Sequence, residues 1–130
     1  MKPILQAAFF SACMVLSAFF VVPSARAQDV ALTPQEIQAA WVAKTVVGTL
    51  AAGSLAGKSI DFNLNPDGSA TLAGALSDSG TWRLSEQGYC VTWKKIRAGQ
   101  ERCFTVVRKG AEQQVLNPDG SVSTTITQIR

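Results

Sequence analysis

The sequence predicts an all-β domain, a small antiparallel meander barrel of about eight short strands with one N-terminal helix. Three observations carry that prediction. Apolar and polar residues alternate from Val46 onward, as they do on a sheet with one buried face. Turn signals recur at intervals of about eight to twelve residues. The hexapeptide Leu64-Asn65-Pro66-Asp67-Gly68-Ser69 returns as Leu116-Asn117-Pro118-Asp119-Gly120-Ser121, 52 residues later. A two-layer β-sandwich satisfies the same pattern and is the alternative.

The first 27 residues read as a cleavable signal peptide. Lys2 supplies the positive start, an apolar run covers residues 4–22, Pro23 and Ser24 break it, and Ala25-Arg26-Ala27 offers small residues to a signal peptidase. Cleavage there starts the mature chain at Gln28. An uncleaved anchor is the rival reading, because an apolar run of this length just spans a bilayer. Lipidation at Cys13 is a second rival, but Phe10-Ser11-Ala12-Cys13 matches a lipobox poorly. Residues 28–45 are then an N-terminal segment with a short helix, and residues 46–130 the antiparallel β domain. Export implies a periplasmic or secreted, oxidising location. A monomer without a membrane span after cleavage is expected.

Removal of Lys2 and Arg26 leaves ten Lys or Arg against nine Asp or Glu, a net charge of +1. The basic character of the precursor therefore gives no reason to expect a nucleic-acid partner.

The helix is announced by Thr33-Pro34-Gln35-Glu36: a hydroxyl N-cap, a proline with its φ already set, and a glutamate three residues after the cap. Ile37, Ala40 and Trp41 follow at helical spacing, so Trp41 is expected to pack on the rest of the domain. Strands are expected near residues 46–50, 58–64, 69–76, 79–85, 88–96, 101–108, 112–116 and 121–129. In 59–65, Ile60, Phe62 and Leu64 alternate with polar residues; Trp82 and Leu84 do the same in the fourth strand. Both hexapeptides read as hairpin turns, with proline at the first central position and glycine rejoining the strands in the left-handed region. Calcium binding is not expected, since each turn offers one carboxylate where calcium takes about six to eight oxygens.

Cys90 and Cys103 are the two cysteines left after processing. A structural disulfide is preferred to a redox-active dithiol, whose cysteines usually lie two residues apart. In both strands the cysteine faces away from the aromatics. Pairing Cys90 with Cys103 sets Tyr89 opposite Phe104 and Trp93 opposite Gln100, with residues 94–99 as the connection.

Chemistry is narrowly bounded. The chain contains no histidine, which excludes Ser-His-Asp and Cys-His catalysis and histidine-containing zinc sites. Asp61, Asp78, Glu86, Glu101 and Glu112 show no spacing that predicts convergence, so no enzymatic activity and no cofactor are expected. One charge feature stands out: Lys94, Lys95, Arg97, Arg102, Arg108 and Lys109 are offset only by Glu101, making a +5 segment beside Trp93 and Phe104. Trp93, Lys94, Lys95, Arg97 and Arg102 are the candidate partner-binding residues, for a protein or an anionic envelope component. The plainer reading, a solvated hairpin edge that discourages aggregation, is the one the sequence favours. Trp82 and Trp93 are in phase with core residues and read as filling, and a barrel this small leaves little room for a ligand.

Gly80-Thr81-Trp82-Arg83-Leu84, Gly88-Tyr89-Cys90-Val91-Thr92-Trp93, Arg102-Cys103-Phe104 and Pro66-Asp67-Gly68 together resemble small secreted proteins of uncharacterised proteobacterial families, over residues 33–130. The resemblance implies a periplasmic β domain and no particular activity. A looser similarity is to bacterial β-barrel inhibitors of proteases and lysozymes, whose inhibitory motifs do not align here residue by residue. The expectation is a non-enzymatic binding module, an inhibitor being one form of it. The alternative is a structural or stress-related envelope protein without a single partner.

Overall fold

Alternation gives a sheet one apolar face, and a sheet of this size removes that face from water by curling until its edges meet. The computed structural model, which describes residues 29–130, shows that closure. The expected signal peptide, its cleavage site and Cys13 lie outside the described residues.

The strands are β1 (Val30–Ala31), β2 (Thr45–Leu50), β3 (Ser59–Leu64), β4 (Ser69–Gly74), β5 (Asp78–Ser85), β6 (Gly88–Trp93), β7 (Arg102–Lys109), β8 (Glu112–Leu116) and β9 (Val122–Ile129), with one helix, α1 (Pro34–Trp41). Each of β2 to β9 pairs antiparallel with the next, and β2 also pairs with β9, so eight strands form a closed meander barrel. That ring of pairings excludes the sandwich alternative. Inward positions carry Val46, Ile60, Phe62, Leu64, Leu72, Tyr89, Val91, Phe104, Val106, Val115 and Ile126, all buried. Outward positions such as Asp61, Asn63, Thr71 and Thr81 are polar and wet, the reverse of a lipid-facing barrel. Among the described residues no helix is long and apolar enough to cross a membrane.

The helix forms as its capping box requires: Thr33 Oγ1 accepts from the Glu36 amide, and Glu36 Oε1 accepts from the Thr33 amide, each at 3.2 Å. Its apolar stripe plugs the barrel end where β2 begins and β3 finishes. Trp41 is fully buried, lies 5.5 Å from Phe62 and 5.8 Å from Tyr89 between ring centroids, and its indole N–H donates to Gln113 Oε1 at 3.0 Å. Burial of such a ring contributes on the order of 3 kcal/mol, without leaving its polar atom unpaired.

Both hexapeptides make the same turn. Gly68 donates to the Asn65 carbonyl at 3.0 Å and Gly120 to that of Asn117 at 2.9 Å. Both glycines have φ of +86°, where a side chain would be strained. Asp67 Oδ1 accepts from the Ser69 amide and hydroxyl, and Asp119 Oδ1 from those of Ser121.

Three local expectations are corrected. The strand placed at 69–76 stops at Gly74, whose φ of 102° turns the chain out of the ladder. The strand placed at 88–96 stops at Trp93, and the β6–β7 ladder covers only Tyr89↔Phe104, Cys90↔Cys103 and Val91↔Arg102. Trp93 is therefore not paired with Gln100; a 3₁₀ turn, Ile96–Gly99, lifts the connection away from the sheet. Finally, β1 was not legible in the sequence. It occupies the β7 edge that β6 leaves free, through Val30↔Arg108 and Ala31↔Val107, with the Leu32 amide donating to the Val106 carbonyl at 2.8 Å. A two-residue strand carries no periodicity to read.

Candidate binding site at the barrel mouth

The end opposite α1 is the open one. There the residues after β2, β4, β6 and β8 (51–58, 75–77, 94–101 and 117–121) surround an apolar cavity of about 90 Å³. Phe62, Leu72, Tyr89, Val91, Trp93 and Phe104 form its walls, and Arg97 is the one charged residue among those lining it. A shallower vestibule of about 300 Å³ lies outside, sharing Leu50, Leu76, Arg97 and Ser123 with the cavity and adding Leu55 and Arg102. The expectation of a filled interior thus holds for most of the barrel and fails at this mouth. Its plug is made of loop residues rather than of strand side chains.

Arg97 is placed by its backbone. It and Ala98 adopt left-handed conformations, φ 55° and 52°, which cost non-glycine residues about 1 kcal/mol each and persist only where neighbours enforce them. The enforcing group is Asp78. Its Oδ2 accepts from the amides of Lys95 at 3.0 Å and Ile96 at 2.9 Å, while Oδ1 accepts from the Ser79 amide at 2.8 Å. The Lys94 amide adds a bond to the Ser79 carbonyl at 3.0 Å. These donors, the Ile96 amide foremost, hold the Asp78 carboxyl below its usual range. The result directs the Arg97 guanidinium to 5.4 Å from the centre of the Phe104 ring, a cation–π distance.

Arg97 is half-buried and Arg102 stands at the same rim. Among the described residues neither forms an ion pair; the pairs present are Arg83–Glu101, Arg108–Glu36 and Arg130–Asp61. Burial first, and then repulsion from Arg102, push the Arg97 pKa below its ordinary value. Below it, Tyr89 is 5% exposed, and burial raises its phenol well above the ordinary range despite the nearby Arg97 charge. Arg97 therefore stands without an ion-pair partner over an apolar floor, while the Asp119 carboxylate lies near enough to Arg102 to feel its charge.

The basic segment of the sequence does not form one surface. Lys94, Lys95, Arg97 and Arg102 belong to the mouth, whereas Lys109 ends β7 at the helix end and Arg108 is tied to Glu36 at 2.9 Å. Seven strand steps separate Arg102 from Lys109, about 23 Å at ~3.3 Å each. Trp93 keeps the inward phase expected of it and departs only from its place among the candidate partner-binding residues. It is 7% exposed and turned into the barrel, so its ring is not open to a macromolecular partner and forms cavity wall instead.

Asp78, Leu50, Leu76 and Ile96 contribute to the mouth without having been singled out for it. Asp78 carried the one available signal, a short acceptor ahead of Ser79-Gly80, which favours bonds to nearby amides. The other carboxylates are dispersed. Asp61 binds Arg130, Glu101 binds Arg83 through two bonds of 3.1 and 2.7 Å, and Glu86 and Glu112 belong to the helix end. Cys90, Cys103 and Glu101 bring possible metal-ligating atoms within 4.8 Å of one another. The two sulfurs share a disulfide, however, and Glu101 is committed to Arg83. Neither the family models nor the curated proteins nor the solved structures include a match to this chain.

Proposed function

We propose that this protein is an exported, non-enzymatic binding module whose binding end is the barrel mouth opposite α1, and that it captures an anionic ligand there. The observation that carries the proposal is Arg97, half-buried above an apolar cavity and in no ion pair among the described residues, with Arg102 at the same rim. Holding such a charge is unfavourable for the free protein, and an anion that pairs with it relieves the cost. Lys94 and Lys95 extend the field outward and favour encounter. The cavity walls include no carboxylate, thiolate or histidine, which favours binding over turnover. Export is supported by the pattern of residues 1–27 and by the Cys90–Cys103 disulfide.

Titration with dextran sulfate at low ionic strength, followed by amide chemical shifts, tests this reading. Shifts should concentrate in residues 94–102 and 51–55 and disappear in the Arg97→Gln, Arg102→Gln double variant. Absence of binding, or shifts centred on the helix end, would overturn it.

A further inference from the structure

Resting on that reading, we infer the class of ligand: a small monocarboxylate with a short unbranched apolar tail, its head on Arg97 and its tail in the cavity. Three features of the mouth select it. The guanidinium is planar and presents paired donors that match a carboxylate in a two-bond fork, which a halide does not exploit. Arg97 carries a single charge at the boundary between cavity and vestibule, while Arg102 stands further out. One negative charge neutralises the buried cation; a second would enter an apolar site unpaired. The floor beyond Arg97 is formed by Phe62, Leu72, Val91 and Phe104, with the Tyr89 ring among them.

Size sets the tail. A cavity of about 90 Å³ is roughly three times the ~30 Å³ that one water molecule occupies in the liquid, room for a tail of about three carbons. A five-carbon acid places its three extra carbons, relative to acetate, in that space, and each buried methylene strengthens binding by roughly fourfold. Pentanoate is thus expected to bind about fifty-fold more tightly than acetate. The left-handed backbone of Arg97, beside the Ile96 amide that Asp78 binds, holds the guanidinium over Phe104 at the head of that space.

The test is a set of amide-shift titrations of the full mature chain with pentanoate, acetate and pentylamine. Pentanoate should perturb Leu76, Tyr89, Arg97 and Phe104 and saturate at a concentration roughly fifty-fold below acetate. Pentylamine should leave them unmoved, and Arg97→Gln should weaken pentanoate at least tenfold while retaining the wild-type spectrum elsewhere. Equal affinity for acetate and pentanoate would overturn the inference, as would equal affinity for pentylamine or an Arg97→Gln protein that binds pentanoate unchanged. If dextran sulfate still binds in those cases, the cationic mouth stands and only the tailed carboxylate falls. If dextran sulfate fails as well, the broader reading falls with it.

Discussion

Reduction of the Cys90–Cys103 disulfide should loosen the barrel at one seam. The β6–β7 ladder has three residue pairs, against four to six at every other seam of the ring. The middle pair is the disulfide itself, with Cα atoms 3.9 Å apart, the close approach of a non-hydrogen-bonded pair. Cross-linking closes a loop of about 14 residues in the unfolded chain, which removes about 10 cal/mol/K of entropy, or about 3 kcal/mol at room temperature. With a urea slope of about 1–3 kcal/mol/M, the unfolding midpoint followed by tryptophan fluorescence should fall by roughly 1–3 M when the protein is unfolded and refolded under reductant. Amide exchange should also accelerate first in residues 89–104, while β2, β3 and β4 keep their protection. Coincident midpoints with and without reductant would refute the entropy argument. A loss of protection spread evenly over all strands would refute the claim of a weak seam.

Other outcomes follow from the same structure. Gly80→Ala should lower stability by about 3 kcal/mol, the upper range for overpacking, because the new Cβ would lie 1.9 Å from the Thr92 carbonyl oxygen, a backbone atom that moves only if β5 and β6 separate; thermal unfolding measures it, and an unchanged midpoint would show the strands able to part freely. Tyr89 is the one tyrosine of the chain, so phenolate absorbance reports it alone. Its raised pKa means the folded state keeps a proton that the unfolded chain loses near pH 10.0, so stability is full below that pH and declines above it. Absorbance should appear together with unfolding, and a normal titration of the native protein would contradict the burial. At the acid end the sign reverses. Glu36, Asp67, Asp78, Glu101 and Asp119 all have lowered pKa values, so the unfolded chain binds more protons as pH falls from about 4.5 downward and stability decreases with it. The urea midpoint should be flat above that range; Asp78→Asn should remove part of the acid slope and raise amide exchange at residues 95–97.

Much of the fold was legible because it rests on local rules. The capping box of Thr33 and Glu36, the two Asn-Pro-Asp-Gly-Ser turns and the alternation in residues 59–65 each depend on neighbours within a few positions, and each formed as read. The register of the disulfide was legible for a related reason. Cysteines facing away from aromatics on adjacent strands admit few pairings that keep Tyr89 and Phe104 inside.

The barrel mouth was less legible. The cluster of basic residues looks continuous in sequence because β7 runs directly from Arg102 to Arg108 and Lys109. An extended strand then carries those charges to opposite ends of the barrel, and the pairing of Arg108 with Glu36 joins residues 72 positions apart.

The amino-acid sequence by itself determined the alternation of faces, the turns, the helix cap and the chemical poverty of the chain: no histidine and no free pair of cysteines in the domain. Tertiary structure alone decided that the sheet closes and that β1 occupies the vacant edge of β7. It also decided that a half-buried Arg97 stands over an apolar cavity. Those features arise from closure of the ring and from Asp78 bonding to amides 17 and 18 residues away, distances over which neither periodicity nor turn chemistry carries information.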